Sequence, residues 1–261
     1  MRRALVTNDD GIDSPGLHAL ADAARAAGLE VIVAAPAEQS SGASAALSAI
    51  RRDGRTVVER RELPDLDVEA WAVHAQPGHI VAAALNGWFD PAPDLVLSGI
   101  NHGANVGRAV LHSGTVGAAL TAKINGTRAV AVSLDVALYP TGERHWAAAA
   151  GLLAPVLELV FDAPEDTVLS LNVPDRPGEE IGPLRYARLA RGGAVQTRVD
   201  EIRDGDLRLA EVEMSDEPEE GTDSALLAAG HPTLTALRSV DADDGDLVLD
   251  WLGTAAGVDS R

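Results

Sequence analysis

Three observations predict an α/β domain, a mostly parallel sheet with helices on both faces. Short runs that are apolar at nearly every position recur at residues 4–7, 31–34, 95–97, 129–132 and 168–171. Strands buried on both faces read this way, without the polar alternation of a half-exposed sheet. Segments with helical spacing separate most of these runs, as crossover connections between parallel strands require. The length of 261 residues suits one sizeable core, alone or with an appendage.

The first run, 4–7, leads through Asn8-Asp9-Asp10-Gly11 into a helix predicted over 15–27. Leu17, Leu20, Ala21, Ala24 and Ala27 share one helical face there, Pro15 opens the helix and Gly28 closes it. The run 31–34 ends at Pro36 and reads as a second buried strand. A helix is predicted over 79–86, a strand at 95–97, a helix over 115–123, a strand at 129–132, a helix over 146–159 and a strand at 168–171. From about residue 178 the character changes. Residues 196–202 and 207–212 alternate in polarity around Asp204-Gly205, a strong hairpin signal. An acidic loop over 214–222, the apolar pair Leu226-Leu227, a strand over 233–237 and a short helix over 247–252 follow. The predicted division is an α/β core over 1–177, with a hairpin and C-terminal oligomerisation segment over 178–261 packed on it. No internal repeat or low-complexity segment is present.

The formal charge of −19 argues against a nucleic-acid polymer as partner, because such binding uses clustered cations to displace counterions. It does not exclude a small phosphorylated substrate, since a bound cation reverses the field locally. The same excess of acid fits a halotolerant or simply acidic proteome. With no cysteine, disulfides, thiolate metal sites and thiol nucleophiles are excluded together. No run approaches membrane-spanning length and the first residues lack the apolar stretch of a signal peptide, so the expectation is a cytoplasmic protein without a membrane partner.

In doubly wound sheets, ligands bind beyond the carboxyl ends of the strands. That rule directs attention to three loops, after Thr7, after Ala35 and after Ser98. The first holds Asp9 and Asp10, adjacent carboxylates whose mutual repulsion a hard divalent cation relieves. Neighbours on an extended segment point to opposite sides, so both meet one ion only if the backbone turns, and Gly11 with Ser14-Pro15-Gly16 supplies a turn. The second, Gln39-Ser40-Ser41-Gly42-Ala43-Ser44, is a small-residue loop with backbone N–H groups free to face an anion. The third runs from Ser98-Gly99-Ile100-Asn101 through Gly103, Asn105 and Gly107 to Ser113-Gly114-Thr115 at a helix start. Asn101 offers a carbonyl suited to a hard metal, and Ser113-Gly114-Thr115 forms an N-cap that also suits phosphate. Taken singly, each loop is an ordinary turn; their coincidence at one sheet edge favours a site.

Asn8-Asp9-Asp10-Gly11 with Pro15-Gly16, Ser41-Gly42-Ala43-Ser44, and Ser98-Gly99-Ile100-Asn101 through Ser113-Gly114-Thr115-Val116 closely resemble the SurE family. Asn172-Val173-Pro174 and Gly221-Thr222-Asp223 extend the resemblance over nearly the whole chain. The resemblance implies a Rossmann-like core and a phosphatase that depends on a divalent metal, Mg2+ or Mn2+, and hydrolyses nucleoside monophosphates at the 5′ position, with the 3′ position left open. It implies a metal held by Asp9, Asp10, Ser41 and Asn101, with Asp9 and Asp10 catalytic. Asn8, Asn105, Ser113, Gly114 and Thr115 would line the phosphate pocket. It also implies a homodimer or homotetramer in which the C-terminal hairpin and tail are exchanged. Ser41 as ligand comes from the resemblance alone; spacing does not separate it from Ser40 or Ser44.

One stretch departs from the family pattern. Ala75-Gln76-Pro77-Gly78-His79 places a histidine where an acid is expected, read as an exposed helix-start residue or, alternatively, as an altered substrate pocket. His102 and His112 are candidates for protonating the leaving group, and His231 for facing the site. The role of either aspartate as general base or nucleophile stays open. The rival readings are a broad-specificity acid phosphatase acting on other phosphoesters or polyphosphate, a nonhydrolytic nucleotide-binding protein, and a phospho-receiver domain. The last needs an aspartate where this chain has Ser98-Gly99, and neither a Walker-type lysine motif nor a dinucleotide fingerprint occurs.

Overall fold

The structure is a computed structural model that describes residues 1–137, 139–192, 195–203, 206–213 and 219–239. The elements in chain order are β1 (Arg3–Thr7), α1 (Pro15–Ala26), β2 (Glu30–Pro36), β3 (Arg51–Arg52), β4 (Arg55–Thr56), β5 (Val58–Leu63), β6 (Leu66–Val73), α2 (Pro77–Ala83), β7 (Leu95–His102) and α3 (Gly114–Ile124). They continue with β8 (Arg128–Asp135), α4 (Trp146–Gly151), α5 (Leu153–Asp162), β9 (Val168–Pro174), β10 (Arg185–Tyr186), β11 (Val195–Arg203), β12 (Asp206–Glu213), α6 (Asp223–Ala228) and β13 (Thr233–Leu237).

Nine strands form one sheet in the order β10-β13-β9-β8-β7-β1-β2-β6-β5. The six central strands from β9 to β6 run parallel, while β13 and β5 pair antiparallel on either side of them. Successive core side chains alternate between faces as the pleat demands. Ala4 and Val6 of β1 join Val31, Val33 and Ala35 of β2 in the layer under α1, α4 and α5. Leu5, Ile32 and Ala34 face the opposite layer, with Ile80 and Val81 of α2 and Val116, Ala119 and Ala122 of α3. The predicted buried parallel strands and flanking helices are therefore present. The chain runs from β1 outward to β2 and β6, then returns to place β7 on the other side of β1. That reversal opens a crevice between the carboxyl ends of β1 and β7.

Several elements differ from expectation. The helix predicted over 146–159 is two helices that meet at Leu152. Pro155, in the first turn of α5, has no N–H to donate back across the junction, so a continuous helix is disfavoured there. The helix predicted over 79–86 begins at Pro77 and gives way to a looser turn over Ala84–Trp88. Strands β3 to β6 were not anticipated. The edge strand β5, Val-Glu-Arg-Arg-Glu-Leu, is largely exposed, and charge on an edge discourages pairing with other chains. The C-terminal region contributes β10 and β13 to the main sheet, while β11 and β12 form the predicted antiparallel ribbon. The Asp204-Gly205 turn, most of the acidic loop (214–218) and the helix predicted over 247–252 lie outside the described residues. No helix among the described residues is long and apolar enough to cross a membrane.

Candidate active site

The floor of the crevice is the turn after β1. Asn8 builds it: its side-chain nitrogen donates to the Gly11 carbonyl at 3.0 Å, and its oxygen accepts the Gly11 N–H at 3.1 Å. Asn8 is fully buried and its amide is committed to holding this turn. Turned by it, Asp9 points inward and is only 5% exposed. The Thr115 hydroxyl donates to Asp9 Oδ1. Gly114 lies so close that a Cβ there would meet Asp9 Oδ2 at 2.7 Å. Burial lifts the Asp9 carboxyl from 3.8 to about 6; the Thr115 bond opposes this, and the neighbouring Asp10 charge adds to it. Asp10 is also raised, first by burial, although the His102 N–H donates to its Oδ2 at 2.9 Å.

β7 supplies the opposite wall. Its pairing with β8 shifts register between Ser98 and Asn101, a bulge that re-aims the strand end. Gly99 within it has φ +140°, and a Cβ would strike the Val132 carbonyl at 2.2 Å, so no other residue fits without a shift. Beyond the bulge, the Asn101 side-chain nitrogen donates to the Gly103 carbonyl at 2.7 Å, which leaves its carbonyl oxygen as the end available to a ligand.

The second loop is tied to both walls. The Ser40 N–H donates to the Asp9 carbonyl at 2.8 Å, and the Ser44 hydroxyl donates to the Leu111 carbonyl at 2.7 Å. Helix α3 comes close enough that a Cβ at Gly117 would meet the Ser44 carbonyl at 2.2 Å. The three serines thus separate: Ser44 is spent on the loop, Ser41 is exposed and accepts from Gln39 at 2.9 Å, and the buried Ser40 hydroxyl has no partner among the described residues. Ser113 caps α3 by accepting the Val116 N–H at 3.0 Å, as the sequence predicts.

Two residues carry weight that the sequence reading did not assign. Asn172 in β9 accepts the Asn105 N–H at 2.8 Å and donates to the Asn105 carbonyl at 3.0 Å, while the Asn105 amide reaches Ser133 at 2.9 Å. Asp223, fully buried, accepts N–H groups from Gly107 at 2.7 Å and from Ala190 at 2.9 Å. Both hold the third loop from outside. Their signal was a polar residue within an apolar run for Asn172, and the Gly221-Thr222-Asp223 motif for Asp223.

The histidines divide differently. His79 is half-buried, not exposed as expected: its ring bonds Thr56 at 3.0 Å, and it lines an apolar cavity with Ile80 and Trp88 to which none of Asp9, Asp10 or Asn101 contributes. His231 bonds the Pro183 carbonyl at 3.2 Å and fills the space beside Gly182, a structural position. His102 and His112 remain exposed on the third loop.

No lysine or arginine pairs with Asp9 or Asp10 among the described residues. Two adjacent acids with no lysine or arginine paired to either among the described residues, Asp9 held by the Thr115 hydroxyl and Asp10 by the His102 N–H, form an oxygen-donor set. That set fits a hard divalent cation, and no sulfur or imidazole is needed.

Fold and site together define a doubly wound α/β protein with an acidic, oxygen-lined site at its topological switch point. The family model described as Survival protein SurE matches residues 4–195, and the chain belongs to that family. A protein named 5′-nucleotidase SurE from Vibrio parahaemolyticus is 36% identical over 245 residues, spanning 90% of this chain and 88% of its own. One of the same name from Rhodopseudomonas palustris is 34% identical over 252 residues, covering 93% and 95%. The crystal structure of the SurE protein from Aquifex aeolicus superposes with a TM-score of 0.77 at 29% identity, covering 96% of this chain and 99% of that one.

Proposed function

We propose that this chain is a metal-dependent 5′-nucleotidase, hydrolysing nucleoside monophosphates to nucleoside and phosphate. The observation that carries the reading is the adjacent acid pair at the switch-point crevice, Asp9 bonded to Thr115 in the first turn of α3 and Asp10 to the His102 N–H, with no lysine or arginine paired to either among the described residues. The relatives named 5′-nucleotidase supply the substrate class.

In this reading Asp9, Asp10, the Asn101 carbonyl and Ser41 hold a Mg2+ or Mn2+ ion. When bound, the ion supplies Lewis-acid polarisation of the phosphoryl group and acidifies water. The chain's own residues orient the ester. Asn105 and the Ser113-Gly114-Thr115 turn place amide, hydroxyl and N–H donors around the phosphoryl oxygens at the start of α3, where the helix dipole favours an anion. Asn8 contributes through the turn it builds. Water attacks phosphorus in line, the P–O bond to the sugar breaks, and the departing oxygen takes up a proton. A homodimer or homotetramer and a cytoplasmic setting belong to the same proposal.

Replacing Asp9 with Asn tests it. Phosphate release from AMP with Mn2+ is expected to fall by about a thousandfold or more in the variant, as for removal of a group central to charge stabilisation. Unchanged turnover in Asp9→Asn, or stoichiometric AMP binding without phosphate release by the unsubstituted protein, contradicts it.

A further inference from the structure

The carboxyl edge of the sheet holds a second recess beside the acid pair. The segment 36–40 after β2 and the segment 73–76 after β6 flank an open cavity of about 310 Å³, bordered by residues 48–50. This volume lies at the lower end of the ~300–1000 Å³ span of small-molecule sites. Because β2 is hydrogen-bonded directly to β1, and β6 to β2, the cavity lies one to two strand spacings from Asp9, roughly 5–10 Å. The Ser40 N–H, bonded to the Asp9 carbonyl, joins its wall to the acidic turn.

The lining combines apolar and polar groups. Ile50 and Ala75 give it apolar sides, and His74 stands against Glu59 at 3.3 Å. Gln76 Oε1 and Ser40 Oγ both belong to lining residues, and both are shielded from solvent without a hydrogen-bond partner among the described residues. Gln76 is the N-cap of α2, yet its side chain makes no capping bond, so the fold does not use it. Polar atoms left in that condition cost free energy that a ligand hydrogen bond recovers. The terminal torsion of a glutamine is soft, so a small rotation turns its carbonyl into the cavity.

We infer that this recess is the subsite for the nucleoside leaving group, with Gln76 and Ser40 binding its sugar hydroxyls or base edge and Ile50 and Ala75 packing on the base. The inference rests on the nucleotidase reading and adds a specificity-determining residue, Gln76, that takes no part in holding the phosphoryl group. A substrate with no nucleoside leaves the recess unused, so its turnover is blind to the lining.

The test compares AMP with p-nitrophenyl phosphate, both with Mn2+, for the full chain, for Gln76→Ala and for Ser48→Trp, which places a large ring at the cavity rim. Gln76→Ala is expected to raise KM for AMP about tenfold, the loss of one hydrogen bond to a shielded group, and to weaken competitive inhibition by adenosine to match. Ser48→Trp is expected to raise it further. Both variants should keep kcat/KM for p-nitrophenyl phosphate within about twofold, since neither residue reaches the phosphoryl site. An unaltered ratio of AMP to p-nitrophenyl phosphate efficiency in both variants overturns the inference while leaving the phosphatase reading intact. Failure of the unsubstituted protein to hydrolyse either substrate overturns both.

Discussion

Asp9 is the residue on which charge, burial and geometry meet. Burial pushes its carboxyl up to about 6 from 3.8, so in the metal-free protein the folded state holds its proton more tightly than the unfolded state does. Below the unfolded value both states are protonated and nothing is lost. As pH rises through that value toward about 6 the unfolded chain ionises first, and stability falls. Above it, the penalty is constant at roughly 3 kcal/mol. Thermal melts in excess chelator at several pH values from 4 to 7 should show this decline in the unsubstituted protein. Asp9→Asn should keep only the shallower decline that the raised Asp10 carboxyl contributes, and be at least as stable at pH 7, despite losing activity. Equal pH slopes for the two proteins would contradict the assignment. Taking the difference between them removes the contributions of Asp10, raised by burial, and of Asp175, whose carboxyl burial raises but whose bonds to His145 and Arg144 hold low. Asp9 and Asp10 were legible in the sequence because adjacent acids at the end of an apolar run are costly without a partner. Asn172 and Asp223 were not assigned, because their partners lie 67 and 116 residues away and no local pattern encodes such pairings.

At the level of elements, the buried strands were readable because a strand covered on both faces has no reason to carry a polar residue. The same logic explains the omission of β5 and β6. β5 is an edge strand with four charged residues in six, and β6 alternates with Asp67 and Glu69, so neither presents a continuous apolar run. The break at Leu152 was encoded by Pro155 but masked by the strong apolar spacing on both sides. The ribbon of β11 and β12 pairs only with itself among the described strands. An isolated two-stranded ribbon is marginal in water and gains stability by packing on something else. We propose a second copy of the chain as that surface. Deleting residues 196–213 should convert the assembly to monomers on light scattering, whereas an unchanged mass would remove this role from the ribbon.

For the whole molecule, the topology explains why such separated residues meet. Reversal of strand order around β1 puts the ends of β1 and β7 on either side of one crevice, and the loop after β2 beside them. The loops that carry Asp9, Asp10, Ser41, Asn101 and Ser113 then have no other place to go. Two acids meet there with no lysine or arginine paired to either among the described residues, a poor arrangement for a bare protein and a good one for a cation site. What the sequence could not show is which oxygens remain free. That depended on Asn101 spending its nitrogen on Gly103 and Asn8 spending both ends of its amide on Gly11. The most direct measurement is anomalous diffraction from crystals soaked in Mn2+. One strong peak is expected within coordination distance, about 2.0–2.4 Å, of oxygens from Asp9, Asp10 and Asn101. Manganese bound elsewhere, with those three side chains turned away from one another, would contradict it.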